Sequence, residues 1–358
     1  MNKNTIDKIL HIVREKKEEY LIVFIANVSQ MSSASYDFEG TSVLGDYYSA
    51  KQFQEITEAI SGNGFELLCY YNENDFISDY LSGTIQKSRE KEMLIINTAK
   101  TGISVGRKSL IPAFCELNGI KYLGCDPYII SFAKDKLHWH IVLDKYKIPV
   151  SQFWGFNKKY GWYQKNKPNC GETVIAKLNS ESCSMGLSSQ NISTYSSEFD
   201  DFLFKLSDKY KQNLILEKFI PGFEVETPLI VSNRGTMCFE PIGIMMNNSF
   251  KIDNKILDYN TRVNDLYIFK EFSLYNDSIC KEIQKCAMSA AEILGLSGIC
   301  RIDFRINENM DYFITDIATT PFITKNSSIG VCFENYGYKY KDFFALIIWL
   351  ILDKYSII

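Results

Sequence analysis

The sequence predicts an α/β amino-terminal region followed by an α+β region. Helix-period and strand-length apolar runs alternate through the first third, whereas past residue 130 the order becomes mixed and strand-rich. Alternation of the first kind belongs to a small parallel sheet flanked by helices. The chain has 358 residues, and at roughly 150 residues per domain it has room for more than one core.

The elements follow in order. Ile6, Ile9, Leu10 and Val13 recur at helical spacing, residues 21–27 form a short apolar run, and Phe53, Ile56 and Ile60 mark a helix closed by Gly62. Residues 65–71 and 93–97 read as further buried strands. Ser109 is placed to cap a helix through Pro112, Phe114 and Leu117 that ends at Gly119. Beyond it, residues 174–178, 214–220, 228–231 and 236–246 are strand-like, with helices near 197–209 and 277–294. Residues 301–307 and 311–319 then read as a strand pair joined by Glu308, Asn309 and Met310.

Composition narrows the function. With 46% hydrophobic, 14% aromatic and 23% charged residues, the chain is an ordinary folded protein. A net charge of −4 is a poor basis for wrapping nucleic acid. The longest apolar run, residues 343–352, has ten residues, about half of a bilayer span. It reads as a helix under the catalytic region or a dimer contact. The first apolar run lacks a signal-peptide layout. Ten cysteines form no CxxC pair and lie mostly in apolar surroundings, so zinc is not expected, and a reducing cytoplasmic setting is. Neither a GxGxxG fingerprint nor a P-loop is present.

Three polar features stand out. Arg301, Asp303 and Arg305 share one face of a strand, and Asp316 and Ala318 share a face of its partner. If the faces coincide, the carboxylates suit Mg²⁺ carrying a polyphosphate, although an ion-paired solvated sheet face has the same pattern. Lys177 lies in an apolar strand, where a charge needs a partner or a ligand. It precedes a small donor-rich loop from Ser180 to Gly186, which could close over phosphates or be a surface turn. The third feature is the strand exit Glu217-Lys218-Phe219-Ile220-Pro221-Gly222-Phe223-Glu224.

In this order and spacing, together with Asp135-Lys136 and the run Asp316-Ile317-Ala318-Thr319-Thr320-Pro321, these segments resemble the ATP-grasp superfamily. Within it they resemble D-alanine:D-alanine ligase-like carboxylate-amine ligases, over roughly residues 94–352. The resemblance implies an ATP-grasp fold with an N-terminal Rossmann-like pre-ATP-grasp domain. The expected division is 1–130 for that domain, 131–216 for the small subdomain and 217–358 for the C-terminal subdomain.

The resemblance also implies roles. Lys136 and Lys177 match the phosphate-contacting lysines, the stretch from Glu181 through Ser184 to Leu187 the loop over the triphosphate, and Glu217, Lys218, Phe219 and Ile220 the hinge that bonds adenine. Glu224 matches the ribose-binding carboxylate, Arg301 the arginine at the transferred phosphoryl group, and Asp303 and Asp316 the magnesium ligands. Arg262 falls where the lid loop carries a phosphate-binding lysine. ATP and one or two Mg²⁺ ions are implied, with a small-molecule acid and an amine as substrates. Neither nucleic acid nor membrane is expected, and a homodimer is compatible.

Departures from the family point to a changed substrate. Ala318 stands where an asparagine holds the second metal, Cys183 replaces the first serine of the loop, and Phe322 replaces a glycine after the proline. The family's amine-gripping glutamate has no counterpart; the segment 28–38 and Asp46, Tyr47 and Tyr48 stand in its place, with the tyrosines expected to line a rebuilt acid pocket. The expected activity is amide-bond formation through an acylphosphate in specialised small-molecule or peptide biosynthesis. Ordinary D-alanine:D-alanine ligation and a non-catalytic nucleotide-binding relative are the alternatives. His138 and His140, two positions apart on a helix, do not share a face. His140 does share one with Lys136 and could lie near the phosphates.

Overall fold

The structure is a computed structural model that describes residues 3–32, 37–38, 41–85, 91–103 and 105–358. Part of the segment offered above as a rebuilt pocket, residues 33–36, lies outside them. The first apolar run forms the strand Tyr20–Ile25, buried at every position. It pairs in parallel with Glu66–Tyr70 on one side and Glu92–Asn97 on the other, and Lys121–Tyr122 completes the sheet. Successive side chains alternate between faces. Ile22 and Phe24 therefore pack with Ile6, Ile9, Val13 and Ile56, while Leu21, Val23 and Ile25 pack with Phe76, Ile111 and Cys115. Helices thus cover both faces, as the alternating pattern predicts.

One detail of this region differs from expectation. The helix Leu110–Asn118 begins after Ser109, but Ser109 makes no capping bond and its hydroxyl donates to Gly106 O at 2.8 Å. Ser109 has helical backbone angles, so its oxygen is not placed to accept from the first turn. At the other end Gly119 is left-handed, as predicted.

A second, antiparallel sheet orders its strands Ile192–Thr194, Thr173–Leu178, Leu214–Lys218, Phe153–Asn157 and Gly161–Trp162. The third is built on the long strand Gly222–Ser232, which pairs along its length with Gly298–Ile306, itself paired with Tyr312–Ala318. The apolar run 236–246 is two strands, Gly235–Cys238 and Ile242–Met245. Pro241 lies at the break, where its missing N–H cannot continue a ladder. Both pieces fold back onto Gly222–Ser232, and Ile242–Met245 is extended by Ile268–Glu271.

The C-terminal helix Tyr340–Lys354 buries every residue from 343 to 352. It shares a core with Ile22, Phe24 and Val13 of the first layer and with Ile230 and Ile299 of the third sheet. The helix therefore packs between the first sheet and the third, whose strand Gly298–Ile306 carries Arg301 and Asp303. An all-round apolar sequence is what such a two-sided position requires.

Gly222 fixes the turn into the long strand. Its φ is +129°, and a Cβ there would lie 2.2 Å from Ile306 O. Gly222→Ala is expected to cost well over about 1 kcal/mol, measurable by urea denaturation, because both the angle and the ladder to Gly298–Ile306 must shift.

Candidate functional site

One cleft with about 1360 Å³ of empty space receives residues from the first sheet's loops and from both antiparallel sheets. On its floor Asp303 and Asp316 are directly opposite across the paired strands, with a bulge following Asp303. Arg301 grips Asp303 with two parallel bonds, Nε to Oδ1 and Nη2 to Oδ2, both 2.7 Å, and reaches Glu226 at 3.2 Å. Such a fork fixes both planes. Burial, aided by Glu226 and Asp316 and opposed by Arg301, pushes Asp303 up to about 8. Burial also acts on Asp316, but Lys136, Lys134 and Arg301 outweigh it and hold that carboxyl well below its ordinary value.

Lysines from two other elements reach this floor. Lys136 opens the helix Lys136–Lys145, which Asp135 caps through His138 N. Its ammonium donates to Asp316 at 2.9 Å and to Glu181 O at 3.0 Å. Lys177, on the strand Thr173–Leu178, donates to Glu217 at 2.8 Å and to Thr315 O at 3.3 Å. Its charge is partnered, as its place in an apolar strand requires.

The strand exit is equally fixed. Phe219 N donates to Thr173 O at 2.9 Å, and Ile220 O accepts from Arg305 Nε at 2.9 Å. Arg305 shares a face with Arg301 and Asp303, as alternation predicts, but its guanidinium turns to Glu224 at 3.1 Å instead of the carboxylate pair. Glu224 and the exposed Lys218 both line the cleft.

In the loop after Lys177, Cys183 and Ser184 are consecutive left-handed residues with φ of 56° and 55°. Ser184 Oγ donates to Leu257 O at 2.5 Å, and the Cys183 thiol donates to Asp46. Glu181 faces another way: its carboxylate is bound by Arg107 at 3.0 Å and Gln212 at 2.6 Å. Only its carbonyl meets Lys136. Arg262, in the short helix Tyr259–Val263, lies over the Phe322 ring at 5.1 Å from the centroid.

Two expectations need correction. Tyr47 and Tyr48 do not line the cleft; Tyr48 is buried behind it, edge-on to Phe322 at 5.3 Å. Asp46, Lys100 and Lys108 line that end instead. His140 is wholly buried outside the cleft, with Nδ1 donating to Lys136 O at 2.7 Å and Nε2 lying 3.7 Å from Glu217. Burial lowers it to about 4, so it is neutral near pH 7.

The residues that sequence reasoning missed are Lys100, Arg107, Lys108 and Lys134. Arg107 bonds Asp46 and Glu181, each at 3.0 Å and each almost fully buried. Lys100 donates to Asp46 at 2.6 Å and lies 4.4 Å from the Phe322 centroid. One signal was readable: Lys100 follows the parallel strand Glu92–Asn97, and carboxyl ends of such strands are where ligands sit.

The donor set fits a magnesium nucleotide. No group of three or more His, Cys, Asp or Glu among the described residues is arranged to hold a metal alone. Two opposed carboxylates, Asp303 and Asp316, suit an ion that takes its remaining oxygens from phosphates and water. Ala318, opposite Arg301, adds no ligand for a second ion.

Fold and site together define an ATP-grasp fold. The chain belongs to the family described as "D-ala D-ala ligase C-terminus", whose profile matches residues 142–349. D-alanine–D-alanine ligase of Acetivibrio thermocellus is 24% identical over 259 residues, 70% of this chain and 66% of that protein. The enzyme of Borrelia duttonii is 24% identical over 260 residues, 70% and 69% of the two chains. The aligned part is thus about two thirds of the curated relatives' length. Among solved structures, D-alanine–D-alanine ligase of Bacillus anthracis complexed with ATP matches with a TM-score of 0.67 at 16% identity, covering 93% of this chain and 97% of that one. VanG D-Ala:D-Ser ligase of Enterococcus faecalis matches with a TM-score of 0.63 at 16% identity, covering 95% and 99%.

Proposed function

We propose that this protein is an ATP-dependent carboxylate-amine ligase whose acid substrate is not D-alanine, as in specialised small-molecule or peptide biosynthesis. The observation that carries the reading is the convergence of Lys136, Lys177, Arg301, Asp303 and Asp316 in one cleft that is also lined by Lys100, Lys108 and Lys134, with Asp46 beside them already bound by Lys100 and Arg107. In the first step an oxygen of the substrate carboxylate attacks the γ-phosphorus of ATP, the bond to the β,γ-bridging oxygen breaks, and ADP leaves. In the second step the amine nitrogen attacks the acyl carbon of the acylphosphate, loses a proton, and phosphate departs.

The chain's own groups have distinct parts. Lys136 and Lys177 neutralise the phosphates, and the loop through Ser184 covers them. The hinge from Glu217 through Lys218 and Phe219 to Ile220 receives the adenine edge, with Glu224, held by Arg305, on the ribose. Arg301 and Arg262 face the charge that grows on the transferred phosphoryl group. Asp303 and Asp316 would hold Mg²⁺, which when bound would supply neutralisation of phosphate charge. Positioning does most of the remaining work.

The names of the relatives favour a second reading, ordinary D-alanine–D-alanine ligation. ADP release measured across a matrix of acids and amines separates the two. Turnover with an acid other than D-alanine is expected, and efficient turnover with D-alanine alone would replace this reading with the second. Among the described residues no helix is long and apolar enough to cross a membrane, and ten free cysteines fit a cytoplasmic setting.

A further inference from the structure

The end of the cleft beyond the phosphate-facing residues has an unusual balance of charge. Lys100, Arg107, Lys108 and Lys134 gather there around the carboxylates of Asp46 and Glu181. They come from separate places: Lys100 follows the strand Glu92–Asn97, Arg107 and Lys108 precede the helix Leu110–Asn118, and Lys134 ends the helix Pro127–Lys134.

Every carboxylate at this end is already bound. Asp46 accepts from Lys100 at 2.6 Å, Arg107 at 3.0 Å, Ser182 Oγ at 3.1 Å and the Cys183 thiol. Glu181 accepts from Arg107 and Gln212. Glu73, close by, takes the Thr101 N–H and hydroxyl, both at 2.8 Å. An incoming ammonium group would find no free carboxylate among the described residues here.

The cations are not all satisfied in return. Lys108 and Lys134 are each only 6% exposed and both line the cleft. Neither side-chain ammonium has a hydrogen-bond partner or a carboxylate within 4 Å among the described residues, and Asp46 and Glu181 attract them only from further off. Burying a charge without a partner is costly, and here like charges add to the cost. Burial and then Lys100 pull Lys108 down to about 8 against the opposing effect of Asp46, and burial followed by Lys108 and Lys136 lowers Lys134 well below its ordinary value. An entering anion would relieve this cost and hold both ammonium groups charged, where without it loss of a proton is the alternative.

Taking the ligase reading as its basis, we infer that the acid substrate carries a second anionic group, a carboxylate or a phosphate, which Lys108 and Lys134 receive. The reacting carboxylate then lies toward Arg301 and Arg262, and the remote anion lies toward the two lysines. Phe322, flanked by Lys100 and Arg262, packs against the carbon chain between them. The same charges exclude the ammonium of a simple amino acid, which is a specificity device as well as an attraction.

The test uses the full chain with Mg-ATP and hydroxylamine, whose nitrogen displaces phosphate from any acylphosphate to give a hydroxamate, so the natural amine need not be known. Succinate and glutarate form the dicarboxylate arm, 3-phosphoglycerate the phosphorylated arm, and butyrate and D-alanine the controls. Hydroxamate is expected from one dianionic arm, which identifies the second group, with a KM about 10- to 100-fold below that of the controls. Lys108→Met and Lys134→Met should each raise that KM by at least about tenfold, keep the Mg-ATP melting shift, and raise the melting temperature of the free protein. Equal or better use of butyrate or D-alanine, or variants that leave the dianion's KM unmoved or weaken Mg-ATP instead, would overturn the inference while the ligase reading stands. A protein that binds Mg-ATP and forms hydroxamate with no acid would overturn both.

Discussion

Asp303→Asn is expected to lower ADP formation by about 10²- to 10³-fold, the usual cost of removing one charged or hydrogen-bonding group from a transition-state site. The substitution keeps the shape of the side chain, and Arg301 retains Glu226 at 3.2 Å, so the fold should persist. What is lost is one of two opposed carboxylates, and with it an oxygen ligand that Asn supplies only weakly. Steady-state ADP release by wild type and variant with the same acid checks the effect. Unchanged biological output from this variant would favour a non-catalytic nucleotide-binding protein.

Arg107→Met should produce the largest loss of stability. Arg107 bridges Asp46 and Glu181, with both pairs at 3.0 Å and all three side chains about 1% exposed. Removing the shared partner leaves carboxylates buried without full compensation, at a cost of about 3–5 kcal/mol. That corresponds to a melting temperature lower by on the order of 10 °C. Burial raises the Asp46 carboxyl, but Lys100, Lys108 and Arg107 together hold it well below its ordinary value. Its contribution is therefore complete above the ordinary carboxylate value and fades as pH falls through the lower folded one. Wild type should lose more of its stability on acidification than Arg107→Met, as melting curves between neutral and acidic pH would record.

The placement of Arg301, Asp303, Asp316 and Lys177 was legible because these residues lie on regular strands. Alternation places Arg301 and Asp303 on one face, and the strand pairing then brings Asp316 opposite Asp303. Lys177 was conspicuous as a charge within an apolar run. The cluster of Asp46, Lys100, Lys108 and Lys134 was not legible, since Lys100 and Lys108 lie in connecting segments while Asp46 and Lys134 end a short 3-10 helix and an α-helix, with no common periodicity to link the four. Only the tertiary fold shows that Asp46 is bound by Lys100 and Arg107, and so cannot serve an ammonium.

Local rules also failed where tertiary packing decided. The run 236–246 is uniformly apolar, and only Pro241 hints that it breaks and folds back in two pieces. The helix Tyr340–Lys354 has no polar stripe from which to read its position, because both the first layer and the third sheet cover it. Glu181 sits in the phosphate loop by sequence, yet its side chain serves Arg107 and Gln212.

The central claim is that this cleft binds a magnesium nucleotide. The most direct test is the melting temperature with Mg²⁺ alone and with Mg-ATP, in wild type and in Lys177→Gln, whose amide can still donate to Glu217. At a hundredfold excess over Kd, binding to the native state adds about 2.7 kcal/mol. A clear upward shift in wild type that is lost in Lys177→Gln is the result expected here. No shift in wild type at millimolar Mg-ATP would contradict it.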